Sequence, residues 1–201
     1  MNYQRKIVSA IFALMLLFSI MLPLSGCGKP STTNPSSTVK PSSTAIQSSG
    51  SVVVKNTDGS VSLSVPSGWN TNDTALYPGA IIGVANDAKS EYVVVTKKPK
   101  SEIGASSTVN DYMTVVKGVF NVILTNPVWG KTSDVKIGGC SGLSAQLNGT
   151  KKSDKSDVVY FVNALASKNY YYNVCGWTVS SMADANKSSI ENIINSFKET
   201  D

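Results

Sequence analysis

Apolar and polar positions along the chain change rhythm twice. Residues 7–22 are apolar apart from Ser9 and Ser19, a run long enough to cross a bilayer as a helix. From Gly28 to Ser51 the apolar rhythm vanishes: Ser, Thr and Pro dominate, with Pro30, Pro35 and Pro41 spread among them. Such a stretch has too little to bury to offset chain entropy and is predicted to be a disordered tether. Its r.m.s. reach is roughly 25–30 Å. From Val52 to Asp201 short apolar runs, one long helical stripe and turn signals follow one another. That length suits one domain with one core.

Within the domain the first signals are strands. Val52-Val53-Val54 and Val61-Ser62-Leu63-Ser64-Val65 flank Asn56-Thr57-Asp58-Gly59. Alternation in the second run, with Asp-Gly to supply positive φ, predicts a β-hairpin. Residues 80–86 and 91–98 form a second predicted pair around Asp87-Ala88-Lys89-Ser90, and Pro99 ends it. Four further strands are predicted at about 131–137, 141–148, 158–166 and 170–178. They turn at Gly138-Gly139, at the charged stretch Lys151 to Asp157 and at Ser167-Lys168-Asn169.

Two helices complete the pattern. Thr108 can cap the first while Asp111, three residues on, reaches back toward it. Val109, Tyr112, Met113, Val116, Val119, Phe120, Ile123 and Leu124 then recur at i, i+3, i+4 spacing, and Asn126-Pro127 ends the helix. Ser181-Met182-Ala183-Asp184 repeats the capping pattern before a last helix carrying Ile190, Ile193, Ile194 and Phe197. Tight turns between strand pairs imply an antiparallel sheet, and each helix has one apolar face to cover it. The predicted class is α+β: an antiparallel sheet with two main helices packed on it.

The amino-terminal pattern acquires a chemical meaning from the residues around it. Arg5 and Lys6 precede the apolar run, Pro23 breaks it, and Leu24-Ser25-Gly26-Cys27 follows. Small residues at Ser25 and Gly26 let the chain enter a peptidase cleft extended, and the Cys27 thiol is nucleophilic enough to accept a diacylglycerol. The expectation is a lipoprotein signal over residues 1–26, lipid attachment at Cys27, a tether through residue 51 and a domain over 52–201. An uncleaved anchor helix or simple secretion are the alternatives. Two acyl chains would hold the protein at the outer face of a bacterial membrane. Of the formal charge of +5, four positive charges lie on Arg5, Lys6, Lys29 and Lys40, leaving about +1 for the domain. With no basic stripe interleaved with aromatics, nucleic acid is not an expected partner.

Candidate chemistry is sparse. The chain has no histidine, which removes Ser-His-Asp and Cys-His catalysis and imidazole-bound zinc. Gly138-Gly139-Cys140-Ser141-Gly142 has the spacing of a nucleophile elbow, but its flanks predict a strand-to-strand turn with no base at hand. Cys140 and Cys175 are expected two strands apart and offset by about five residues, roughly 17 Å. That is too far for a disulfide. Asp154 and Asp157 are too few for a calcium cage. Tyr170 and Tyr172 share one sheet face and Tyr171 the other, so they either pack in the core or leave an aromatic patch open to a partner. No catalytic residue, metal ligand or cofactor is expected.

Taken together, Val61-Ser62-Leu63-Ser64-Val65-Pro66-Ser67-Gly68-Trp69, the single long helix after two hairpins, Tyr170-Tyr171-Tyr172-Asn173-Val174-Cys175-Gly176-Trp177 and Ile193-Ile194-Asn195-Ser196-Phe197 resemble the PsbP-like fold family. That family is shared with Mog-type proteins and small bacterial lipoproteins of the DcrB type. The resemblance covers nearly the whole domain and implies a helix–sheet–helix sandwich with mainly binding roles and no shared catalytic set. The metal-binding histidines of photosynthetic members have no counterpart here. The expected function is a membrane-anchored, non-catalytic binding module whose partner is an envelope protein, glycan or small ligand. Alternatives are an envelope hydrolase using facing carboxylates and a small solute-receptor lipoprotein.

Overall fold

The computed structural model describes residues 50–72, 74–104 and 106–200; the expected signal segment, Cys27 and nearly all of the expected tether lie outside them. Strands β1 (Ser51–Lys55) and β2 (Val61–Pro66) make the first hairpin, where Gly59 takes φ 73°. Strands β3 (Ala80–Asn86) and β4 (Glu91–Pro99) make the second, and Ser90 adopts the left-handed conformation at its turn. After the single helical turn Lys100–Ile103 comes α1 (Val109–Ile123). Then follow β5 (Leu124–Trp129), β6 (Ser133–Ile137), β7 (Cys140–Lys151), β8 (Asp157–Ala166) and β9 (Tyr170–Val179), and finally α2 (Ala183–Asn195) and β10 (Lys198–Glu199).

Seven strands form the main antiparallel sheet in the order β3-β4-β9-β8-β7-β5, with β6 pairing the start of β7 and β5 its end. The α+β class is therefore observed. One face of this sheet receives α1, whose Tyr112, Met113, Val116 and Phe120 pack with Leu143, Leu147, Tyr160 and Trp177. The other face receives Ile190, Ile193 and Ile194 of α2 beside Val61, Leu63 and Val65 of β2. A capping box starts α1 as the sequence predicts: Thr108 Oγ1 accepts from the Asp111 amide, and the Asp111 carboxylate accepts from the Thr108 amide at 2.8 Å. These bonds hold the Asp111 carboxyl below its ordinary pKa, the backbone bond most of all.

Several expectations are corrected. The sheet is not the whole β structure: β1, β2 and β10 form a separate three-stranded sheet, which shares the α2 side of the molecule with that helix. The two-residue β10 pairs only with Ser62 and Val61, and a strand that short leaves no periodicity to detect. Asn126-Pro127 does not end α1. The helix stops at Ile123, and Leu124, placed by periodicity on its apolar stripe, instead pairs with Lys151 on β7. Lys152 Nζ donates to the carbonyls of Asn121 and Val122 at 3.2 and 2.8 Å, closing the helix end from the turn that follows β7. Asn126, at φ 49°, and Pro127 lie in a bulge where the ladder shifts between Thr125 and Val128, a place where proline's missing N–H breaks no pairing. Ser181 does not cap α2: it lies in a 3₁₀ turn, Ser180–Met182, and Met182 holds the cap position with no side-chain bond.

The tyrosine alternative resolves toward the core. Both faces of the sheet are covered where these tyrosines lie on β9, and Tyr171 and Tyr172 are 1% and 0% exposed. Tyr171 stacks on Tyr112 with centroids 4.8 Å apart, and Tyr172 packs on Phe197 at 5.1 Å. Tyr170, half-buried, lies beneath Lys97 Nζ at 4.1 Å from its ring centre. No open aromatic patch forms from these three.

Candidate functional site

One concavity of the domain follows from where α2 sits. Gly176, in mid-β9, has no side chain, and a Cβ there would lie 2.2 Å from Ile190 Cγ2. The helix therefore approaches the sheet closely over β9 and β4 and leaves the β8-β7-β6 side of the same face less covered. A cleft of about 310 Å³ opens there. Phe161 and Asn163 of β8 and Ser144 and Gln146 of β7 form its floor; the ladder sets Asn163 opposite Ser144 and Phe161 opposite Gln146. Val135 and Ile137 of β6 make an apolar wall. From α2 come Lys187, Glu191 and Asn195, one stripe at four-residue spacing, with Ile194 beneath them.

The polarity of this cleft is unevenly satisfied. Lys187 and Glu191 pair with each other at 3.9 Å, both half-exposed, an arrangement that contributes little to stability. Asn163 is only 5% exposed, and its Nδ2 donates to the Val174 carbonyl at 3.2 Å. Among the described residues no donor reaches its Oδ1, so this oxygen is left to the cleft. Among the described residues, Ser144 and Asn195 likewise find no side-chain hydrogen-bond partner.

None of these residues is conspicuous in the sequence. The one available signal is Asn163 itself, a lone polar residue inside Val158-Val159-Tyr160-Phe161-Val162-Asn163-Ala164-Leu165. Buried strand interiors rarely carry such a residue without a bonding or binding reason. The cleft lies against α2, whereas the long helix α1 meets a face filled with rings: Phe120 packs edge-on against Trp129 and Tyr160, at 5.6 and 4.9 Å.

The residues singled out by their chemistry are dispersed. Cys27 lies outside the described residues. Cys140 and Cys175 are free and buried. Cys175 stands opposite Val162, which stands opposite Ala145, five positions beyond Cys140, and the two cysteines belong to different cores. Burial raises both thiols above their ordinary pKa.

The elbow-like glycines form a strand-to-strand hairpin, with Gly138 and Gly139 at φ 57° and 85°. Contrary to expectation, a carboxylate does stand near Cys140: Glu199 Oε2 is 3.8 Å from its sulfur. Glu199 Oε1 also accepts from Tyr172 Oη at 2.7 Å and Ser167 Oγ at 3.0 Å. First burial and then Glu199 push the Cys140 thiol up to about 11. The carboxylate thus keeps the proton on sulfur instead of removing it, and the cluster ties β10 to the main sheet.

At the charged hairpin, Asp154 accepts from the hydroxyl and amide of Ser156, and Asp157 from Thr150 at 2.7 Å, as in a solvated turn. No cluster of three or more His, Cys, Asp or Glu occurs among the described residues. No helix among them is long and apolar enough to cross a membrane.

No sequence-family model matches the chain, and no curated protein matches it significantly. Solved structures do. The cyanobacterial PsbP of Synechocystis, CyanoP, superposes with a TM-score of 0.54 at 13% identity, over 80% of this chain and 98% of that one. LpqN of Mycobacterium tuberculosis superposes with a TM-score of 0.51 at 14% identity, over 77% and 93%. At such identities the likeness concerns the fold, and it coincides with the strand and helix order described above. The domain has the PsbP-like fold.

Proposed function

We propose that this protein is an extracytoplasmic binding module, held to the outer face of a bacterial membrane by lipid on Cys27, that receives a ligand in the cleft between α2 and strands β6–β8. The observation that carries the reading is Asn163, deeply buried yet with a carboxamide oxygen left to the cleft. The basic start, apolar run and Leu24-Ser25-Gly26-Cys27 support the anchor. An envelope setting agrees with the fold's occurrence in LpqN, a protein involved in cell envelope biogenesis. Recognition is favoured over hydrolysis because the cleft presents one carboxylate, Glu191, and that one is paired with Lys187. Carboxylate-based glycoside cleavage needs two acids facing each other across the bond.

Two measurements test the reading. The full chain, expressed in a bacterium and purified from membranes, should carry an acylated Cys27 at its amino terminus by mass spectrometry, and Cys27→Ala should abolish acylation. Soluble envelope glycan and peptide fragments, titrated against the full chain, should include a fraction that binds wild type but not Asn195→Trp, which plugs the cleft mouth from an exposed helix position. Turnover of a fraction would contradict the non-catalytic half of the proposal.

A further inference from the structure

The cleft also constrains what enters it. Building on the binding role proposed above, we infer that its ligand is a neutral sugar bearing an acetamido group, seated with its amide N–H on Asn163 Oδ1. The floor carries no charged side chain: Ser144, Gln146, Phe161 and Asn163 face the ligand. The one cation and one anion, Lys187 and Glu191, sit on the helix and neutralise each other at 3.9 Å. A phosphate or carboxylate would meet an acceptor oxygen at the floor, and a free cation would find no carboxylate there. The group that fits is an uncharged donor.

Beside this acceptor stands the apolar pair Val135 and Ile137 on β6. An acetamido group has both parts: an N–H for Asn163 Oδ1 and a methyl for the apolar wall. Ring hydroxyls, which both donate and accept, are suited to Ser144, Gln146 and Asn195. The volume, about 310 Å³, stands at the small end of the roughly 300–1,000 Å³ typical of ligand sites. It therefore takes one or two sugar rings and not a long chain. An amide oxygen at a cleft floor, satisfied by one ligand and left bare when its analogue displaces water, is a strong discriminator.

The probes are N,N′-diacetylchitobiose and cellobiose, which share linkage and size and differ at the acetamido group. Titrated calorimetrically against the full chain in detergent, the first should bind at least about tenfold more tightly than the second. Asn195→Trp should abolish that binding, and Asn163→Leu should remove the preference between the two sugars. Since Asn163→Leu also removes the bond to Val174, its fold is checked by circular dichroism, and the exposed Asn195→Trp carries the test if it unfolds. Equal binding of both sugars, blocked by Asn195→Trp, would overturn the acetamido assignment and leave the binding cleft standing. Binding of either sugar unaffected by Asn195→Trp would overturn both. Failure of both sugars to bind the folded wild type would overturn the sugar assignment alone.

Discussion

The two faces of the main sheet are built from similar strands and covered by helices of similar length, yet only one is sealed. On the α1 side aromatic rings fill the interface: Tyr112 on Tyr171, Phe120 on Tyr160 and Tyr92 on Trp177, with centroids 4.8 to 5.2 Å apart. On the α2 side Gly176 draws the helix toward β9, and the strands beyond present Ser144, Gln146 and Asn163 to open space. The difference teaches which face of the sheet has room for the ligand proposed above. On the well-packed side an unpartnered acceptor, Asn173 Oδ1, which alternates on β9 with Tyr171 and Cys175, is buried out of a ligand's reach, whereas the incompletely covered side keeps acceptors that an incoming ligand can meet.

Four changes break or sharpen this contrast. The largest effect is expected from paired truncations. Phe120→Ala on the sealed face should cost about 3–5 kcal/mol. Phe161→Ala, beneath the cleft, should fall at or below the low end of that range, because the vacated space joins a cleft that water enters. Urea denaturation of both variants measures this, and equal losses would erase the distinction between the faces.

Next come two glycines. Gly176→Ala should cost about 1–3 kcal/mol, since the new Cβ meets Ile190 Cγ2 and displaces α2. Gly118→Ala on α1 has open space around its Cβ and should stabilise by about 0.5–1 kcal/mol. Opposite shifts in thermal midpoint are the expected pattern.

Thr108→Ala removes the cap of α1 and should cost about 1 kcal/mol while leaving cleft binding unchanged, as chemical denaturation and titration calorimetry would show. If binding weakened too, the two faces would be coupled.

The smallest effect at neutral pH concerns Cys140, whose folded thiol is pushed up to about 11 while an unfolded thiol ionises near ~8.5. Above that lower value the unfolded chain releases a proton that the folded chain keeps, so stability falls as pH rises toward 11. Cys140→Ala should flatten the decline between pH 8 and 10 in denaturation curves, although Cys175 retains its own share. Both thiols should resist alkylation in the folded protein and react after unfolding.

Much of the architecture was legible because it rests on local rules. Asp-Gly and Gly-Gly turns, alternation along β2 and the Thr108–Asp111 box each require only neighbouring residues. The misses are elements created by distant partners. Leu124 fits a helical stripe as well as a strand, and the β7 edge makes it a strand. Lys198 and Glu199 become β10 because β2 offers an edge and because Tyr172, Ser167 and Cys140 surround the Glu199 carboxylate.

By itself, then, the sequence determined the α+β class, the order of nearly all strands and both helices, and the separation of the two cysteines, since periodicity and turn chemistry are written within short windows. Tertiary structure alone decided which sheet face would be sealed and which would hold a cleft. That outcome depends on a missing side chain at Gly176 meeting Ile190, and on one oxygen of Asn163 finding no donor. Such facts concern distances between residues far apart in the chain, and no local pattern encodes them.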